Sequence, residues 1–162
     1  STTLNEFPFV GRDVVDLAVR IDKNEFRGEV KASVQIRDMR FSGIDEDNLF
    51  KSQTLYEKYR CGEKLTTHEA RFLTPTREFL LGVYGLIKQY KMWQFDVETL
   101  TYRAKCPIER YCTMLVSIDV LCELGLIEKE NSKLVFVGDG KKADLSQSEI
   151  LNNLNRIQGG EQ

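Results

Sequence analysis

The feature that most constrains the fold of this chain is a strict two-residue alternation in its N-terminal quarter. Within Glu29–Phe41, small apolar residues alternate with polar ones: Val30, Ala32, Val34 and Ile36 against Lys31, Ser33, Gln35 and Arg37. Side chains of a β-strand point alternately to its two faces, so this pattern predicts a half-buried strand. A second alternating segment, Asp13–Ile21, places Val15, Leu17, Val19 and Ile21 on one face. The connection DKNEFRG contains Asn24 and Gly28, which suit positive φ, so we predict an antiparallel hairpin with a longer loop.

Beyond a Ser-Gly break at 41–47, the apolar spacing changes from that of strands to that of helices. In Thr74–Tyr90, Thr74 is the expected N-cap and Pro75 the first helical residue, and Gly82 and Gly85 suggest close packing. The other predicted elements are helices at Asp47–Tyr59, Thr67–Phe72, Asp96–Arg103, Ile108–Leu124 (ended by Gly125) and Gln147–Ile157 (capping box Ser146 and Glu149), a strand at 92–95, and two strands within 126–137 about the turn 130–132.

These elements predict an α+β chain in three parts. Residues 1–43 form the β-hairpin, residues 44–73 a helical linker, and residues 74–162 a mainly helical domain. The order of elements in the last part, three helices followed by two short strands, is that of a winged helix. In such a fold the helix Ile108–Leu124 would be the reader of a DNA groove. Its expected exposed arc holds three acids and one base, which favours a packing or partner-binding role: Glu109, Arg110, Thr113, Ser117, Asp119 and Glu123.

Composition excludes some classes of protein but does not indicate a function. The 162 residues carry 23 basic and 25 acidic side chains, a net charge of −2, so DNA binding would depend on local placement of charge. No apolar run is long enough to span a membrane, and STTLNEF lacks the pattern of a signal peptide. The chain begins with Ser, which suggests a processed chain or a piece of a longer one. We expect a cytoplasmic location, with the four cysteines as reduced core thiols.

The sequence contains no convincing catalytic set. GDGKK at 138–142 lacks the spacing of a P-loop and is expected to be a turn. His68, near Glu63 and Glu69, has no evident nucleophile beside it. The acidic run Asp45–Asp47 is explained by a helix start more simply than by a metal site. Trp93, with Tyr90 and Phe95, is expected in the core.

Several stretches resemble one known family. VDLAVRIDKNEFRGEVKASVQIRDMR is similar to the closing strands of the oligonucleotide-binding (OB) barrel in the RecJ family, the bacterial single-stranded-DNA-specific exonucleases of the DHH phosphoesterase class. The motifs that carry this likeness are V-D-[VL]-A, N-E-[WF]-x-G and V-Q-x-x-[IV]-x-D, present here at Val15–Ala18, Asn24–Gly28 and Val34–Asp38. PTREFLLGVYGLIKQY, SIDVLCELGLI and KADLSQSEIL are similar, by pattern, to the region that follows the barrel in that family.

The resemblance implies a fragment without the catalytic core. The Asp-His-His motif is absent and the chain has one His, so the two-metal centre of the family, with Mn²⁺ or Mg²⁺, would belong to the parent protein and this chain would hold no cofactor. The hairpin would be the last edge of the barrel, left attached to a winged-helix-like domain. The implied role is non-catalytic assistance to a 5′–3′ exonuclease in DNA repair and recombination.

Two sets of residues are candidate binding sites. Those expected to hold single-stranded DNA, by cation–phosphate contacts and aromatic stacking, are Arg20, Lys23, Phe26, Arg27, Lys31, Gln35, Arg37 and Arg40. Those that would rim a groove for the acidic tail of the single-stranded-DNA-binding protein are Lys88, Lys91, Arg103 and Lys105. A homodimer through the exposed sheet edge is a further expectation. The alternative is a protein–protein interaction module that makes no nucleic-acid contact.

Overall fold

The computed structural model describes residues 8–26, 28–137 and 144–160. It shows a mixed α+β chain that divides into two compact units, with the boundary between Ile44 and Asp45. In the described residues the first unit holds β1 (Val15–Phe26) and β2 (Glu29–Phe41). The second holds α1 (Glu46–Arg60), α2 (Thr67–Leu73), α3 (Arg77–Tyr90), β3 (Met92–Trp93), α4 (Val97–Arg103), α5 (Tyr111–Glu123), β4 (Ile127–Glu130), β5 (Lys133–Phe136) and α6 (Glu149–Gln158), with 3₁₀ turns at Ile108–Arg110 and Leu145–Gln147.

The predicted hairpin is present, and it is longer and tighter than expected. β1 continues to Phe26, which pairs with Glu29, so two residues separate the strands and the predicted long loop is wrong. Asn24 belongs to the strand and pairs with Lys31. Gly28 has φ +78°, as the sequence suggested for this turn. A β-bulge lies where Ala18 pairs with Asp38 and Val19 with Ile36, so the partner strand has one additional residue.

Residues 44–73 are predicted to be a helical linker; in the structure, residues 45–73 contribute the helices α1 and α2 to the second unit. Asp45 caps α1 by accepting a hydrogen bond from the amide of Asn48 at 3.0 Å. Thr66 and Glu69 form a capping box for α2, with bonds of 3.2 Å and 2.7 Å. The buried core of this unit runs from Leu65 to Leu154, with Leu55, Tyr56 and Tyr59 of α1 packed against it. The α1 helix is therefore part of the packed unit.

The start of α3 differs from the prediction. Thr76 is the N-cap, accepting from the amide of Phe79 at 3.2 Å. Thr74 instead ends α2, where its hydroxyl donates to the carbonyl of Ala70 at 2.7 Å. Both threonines precede the same apolar stripe, and the preceding helix decides between them by extending to Leu73.

The most buried helix of the second unit is α5, which begins at Tyr111 after the 3₁₀ turn and ends before the positive-φ residue Gly125. It packs against α1, α2, α3, α4, β4 and α6. The expected exposed arc is wrong at three positions, because Thr113, Ser117 and Asp119 are all buried. A helix enclosed in this way does not offer a face to a DNA groove.

The three short strands form a sheet in the order β3–β5–β4, with antiparallel pairs. The predicted turn between β4 and β5 is confirmed, with positive φ at Asn131 and Ser132. Trp93 is 1% exposed and packs edge-on against Tyr90 and Phe95, as predicted for a core residue. Tyr90 itself is 45% exposed, so the prediction of a core position is wrong for that residue. The described residues include the α+β elements of the prediction, and they contain no closed barrel.

The last helix begins two residues later than predicted. Ser148, rather than Ser146, is the N-cap and accepts from the amide of Leu151 at 3.1 Å. The carboxylate of Glu123 also accepts from the amides of Glu149 and Ile150, at 3.0 and 3.3 Å, and from the Ser148 hydroxyl. This cap comes from α5, so no local sequence pattern predicts it. The predicted turn GDGKK lies outside the described residues.

Candidate functional site

The two faces of the hairpin differ sharply in chemistry. Because partners across the two strands share a face, the pairs Val19–Ile36 and Ile21–Val34 place their side chains together. The members of this apolar face that remain well exposed are Leu17 (47%), Val19 (43%), Ile21 (68%), Val30 (57%), Val34 (60%) and Ile36 (55%). Nothing in the described part of the first unit covers them. This face is therefore a candidate binding surface.

The opposite face is polar, and its charges are largely paired. Arg20 lies 2.9 Å from Asp22, and Lys31 lies 3.1 Å from Glu29. Arg40 lies 3.5 Å from Asp16, across the strands. With Asp38, this face carries three basic and four acidic side chains. It therefore provides no strongly positive surface for a phosphate backbone.

The structure brings together only part of the predicted DNA-binding set. Arg20, Lys31, Gln35 and Arg40 share the polar face. Lys23, by alternation and by its pairing with Ala32, belongs to the apolar face near the turn. Arg37, the additional residue at the bulge, is exposed.

The side chains of two members of the set are not among those that the structure describes. Arg27 lies outside the described residues, and of Phe26 only the backbone in β1 is described. Lys23 and Arg37 form no ion pair with any described residue. They are therefore the two described cations of the hairpin whose charge is not already balanced by a close acid.

The four predicted partner-binding residues lie at the ends of two different helices. Lys88 is in the last turn of α3 and Lys91 caps it, whereas Arg103 ends α4 and Lys105 follows it. The ammonium group of Lys88 lies 5.8 Å from the ring centre of Phe136 on β5. Arg103 lies over Tyr102 at the same distance.

The surface around Lys88 and Lys91 combines cations with exposed apolar side chains. Tyr90 is 45% exposed and Met92 is 44% exposed. Met92 pairs with Val135 across the sheet, so these two side chains share its outer face. A cationic rim beside exposed aromatic and thioether groups suits an acidic peptide that ends in apolar residues.

Cys106, Cys112 and Cys122 are wholly or partly buried in the second unit, whereas Cys61 is exposed, so the prediction of a core thiol is wrong for Cys61. Burial raises the pKa of the Cys106 thiol to about 11, and it also raises the pKa values of Cys112 and Cys122. A thiol that stays protonated is a poor nucleophile. The exposed residue His68 stacks on Phe72, with ring centres 6.1 Å apart. In the part of the chain that the structure covers, no group of three or more His, Cys, Asp and Glu residues is arranged to hold a metal ion.

A polar network centred on the buried carboxylate of Asp119, on α5, was not predicted from the sequence. Asp119 accepts hydrogen bonds from the Tyr56 hydroxyl at 2.5 Å, from Arg60 at 3.3 Å and from Lys129 at 2.7 Å. Burial, followed by the bond to Asp119, raises the pKa of Tyr56. Tyr56 and Arg60 belong to α1 and Lys129 belongs to β4, and the side chains of Arg60 and Lys129 are themselves 59% and 52% exposed. The network therefore ties three elements together.

Comparison with protein-family models, with curated proteins and with solved structures finds no match to this chain. Among the described helices, none has both the length and the apolar character needed to cross a bilayer.

Proposed function

We propose that this chain is a non-catalytic docking module, corresponding to the C-terminal segment of a RecJ-like 5′–3′ single-stranded-DNA exonuclease of repair and recombination. The observation that carries the proposal is the uncovered apolar face of the hairpin, where six aliphatic side chains are 43–68% exposed. Exposed apolar surfaces of this kind are typical of sites that contact another protein. The opposite face, with its paired charges, suits contact with water.

Energetics favour a cover over this face. An isolated two-stranded hairpin is marginally stable in water. Removing the remaining exposed area of these side chains from water contributes about 1 kcal/mol for each one. In the proposed parent, the remaining strands of an OB barrel supply that cover. The metal-dependent chemistry, with Mn²⁺ or Mg²⁺, belongs to the parent's catalytic core.

Calorimetry of the chain with a separately purified RecJ-like catalytic core, cut before the region of resemblance, tests this proposal. Ile21→Asp adds a charge to the apolar face, and its matched control Asn24→Asp adds the same charge to the polar face of β1. We expect the unmodified chain and the control to bind the core, and we expect Ile21→Asp to lose binding. Failure of the unmodified chain to bind, or equal binding by both variants, would contradict the proposal.

The helical unit in this proposal holds an acidic partner at the Lys88–Lys91 end of α3. The single-stranded-DNA-binding protein, with its acidic tail, is the partner that the resemblance implies. A synthetic acidic peptide with an apolar C-terminus is the probe. Lys88→Glu should weaken its binding, whereas Lys64→Glu, an exposed lysine before α2, should not. If both charge reversals weaken peptide binding equally, the attraction is nonspecific and this site is excluded.

A second candidate function, direct contact with single-stranded DNA, is favoured by the unpaired charges of Lys23 and Arg37 on the hairpin. Anisotropy of a labelled oligonucleotide at two salt concentrations measures it. We expect Lys23→Gln and Arg37→Gln each to reduce the salt slope by about 1. Lys31→Gln, whose charge Glu29 already balances, is the control. If no binding occurs at low salt, the hairpin acts by protein contact alone.

A further inference from the structure

The outer edge of β2 is open in the described residues. The sheet of the first unit consists of β1 and β2 only, so β2 has a partner on one side. Between Glu29 and Ile36 it pairs with β1 in regular register, and the bulge begins at the next residue. An open edge of this length is a template for a further strand.

The sequence of β2 is self-complementary when the strand is laid antiparallel against itself. With Ser33 at the centre, Val30 faces Ile36 and Ala32 faces Val34. Lys31 then faces Gln35, and Glu29 lies level with Arg37, the residue that follows the regular stretch, which brings opposite charges together at each end. Each apolar residue thus meets an apolar one, and each polar residue meets a polar one. Cross-strand pairs of these kinds stabilise a sheet.

Neighbouring registers lack this match. Centring on Val34 opposes Lys31 to Arg37, which places like charges directly across the strands. Centring on Ala32 leaves Glu29 opposite Gln35, without a charge pair. A shift of one residue opposes Ser33 to Val34 and mixes the two faces.

We propose that β2 pairs with β2 of a second copy of this chain, antiparallel and centred on Ser33. The product is a four-stranded sheet in the order β1–β2–β2–β1, related by a two-fold axis. Its apolar face is continuous, because Val30, Val34 and Ile36 lie on that face in both copies. Two additional strands also relieve the marginal stability of a lone hairpin. This inference goes beyond the docking function and does not depend on it.

Charge reversal at the ends of the interface is the first test. Glu29 and Arg37 are both exposed, so substitution there leaves the monomer fold intact, as circular dichroism would verify. Sedimentation equilibrium of the whole chain should show a species of twice 18.7 kDa. Glu29→Lys or Arg37→Glu alone should weaken the dimer about tenfold or more, since two facing pairs change from unlike to like charge. The double variant should recover the original affinity.

The control is Arg20→Glu, on β1 and away from the new interface, which should leave the dimer unchanged. A monomer at the highest soluble concentration would overturn the proposal. A dimer that neither reversal weakens, or one that the double variant does not restore, would overturn it as well.

Disulfide capture tests the register directly. Ser33→Cys is placed in a Cys61→Ser background, because Cys61 is an exposed native thiol. At the two-fold axis the two introduced thiols lie opposite each other, with Cα atoms about 5 Å apart and within disulfide reach. Gln35→Cys places them about 13 Å apart along the strands, which is beyond that reach. Cross-linking of Ser33→Cys and not of Gln35→Cys is expected, and the reverse or equal cross-linking would contradict the register.

Discussion

The carboxylate of Asp119 is the residue on which the polar interior of the helical unit depends. It is 7% exposed and accepts from Tyr56, Arg60 and Lys129. On the sequence alone it belongs to the arc of α5 that was expected to face solvent. The bonds of a buried carboxylate are worth more than those of surface ion pairs, because no water replaces a lost partner.

Asp119→Asn should therefore destabilise the helical unit by about 2–3 kcal/mol, since the amide keeps the shape and loses the charge that Lys129 and Arg60 meet. Urea unfolding followed by the fluorescence of Trp93, which is 1% exposed, measures this. Asp47→Asn removes an exposed charge from the first turn of α1, in the same unit as Trp93, and should cost less than about 0.5 kcal/mol. If the two variants lose the same amount, the network is not a stabilising centre.

Glu69 links the capping box of α2 to α1. Its side chain lies 2.6 Å from the ammonium group of Lys58, and this bond, with the Thr66 backbone bond, lowers the pKa of Glu69 below 4.5. A carboxylate whose folded pKa is lowered contributes stability above its unfolded pKa. That contribution is lost as the pH falls through the folded pKa.

Glu69→Gln keeps a cap for Thr66 and removes the charge, so it should cost about 0.5–1 kcal/mol at pH 7. The difference in unfolding free energy from the unmodified chain should shrink as the pH falls below 4.5, and should vanish once Glu69 is protonated in both states. Denaturation curves across this pH range check the sign. A difference that stays constant with pH would mean that the charge of Glu69 plays no part.

At the scale of elements, α3 contains two glycines with room for a side chain. A Cβ at Gly82 or Gly85 meets no atom within 4 Å, so the predicted close packing at these positions is wrong. Both residues lie in the helix interior, where glycine costs about 1 kcal/mol relative to alanine.

Gly82→Ala and Gly85→Ala should therefore each stabilise the chain by about 0.5–1 kcal/mol. Gly125→Ala is the comparison variant, with an effect of opposite sign. Gly125 follows α5 with φ +64°, a conformation that is strained for a residue with a side chain. This substitution should destabilise by about 1 kcal/mol. Thermal unfolding of the three variants measures these differences in stability. Destabilisation by either α3 substitution would contradict the absence of a contact at that position.

At the scale of the whole molecule, the division at Ile44 separates a packed core from a hairpin without one. The residues of the buried core all belong to the second unit, from Leu65 to Leu154. The hairpin has Phe41 as its buried apolar residue, with the ring of Phe9 4.8 Å away.

Residues 45–162 should accordingly fold alone, with the Trp93 transition midpoint of the whole chain retained. Limited proteolysis should cut within 8–44 before it cuts the second unit. A fragment that fails to fold, or whose midpoint falls well below that of the whole chain, would show that the hairpin supports the core.

Local patterns of residues were enough to predict most of the helices and strands. The alternation in β1 and β2, the turn at Asn131–Ser132 and the end of α5 before Gly125 each depend on neighbouring residues, and each is present. The capping box of α2, formed by Thr66 and Glu69, is equally local but was not predicted. The α+β class follows from these periodicities. The sequence did not decide where a helix begins when two capping residues lie close together, as Thr74 and Thr76 do before α3.

Which faces are buried, and which charges are balanced by ion pairs, depends on the tertiary structure. α5 is apolar over half its circumference, and contacts from six other elements, distant in sequence, bury the other half as well. In the sequence, the cations of the hairpin suggest a basic surface. In the structure, the register of the strands brings Arg40 beside Asp16, which is 24 residues away along the chain. Burial and ion pairing depend on distances in space, and a pattern along the chain records only distances in sequence.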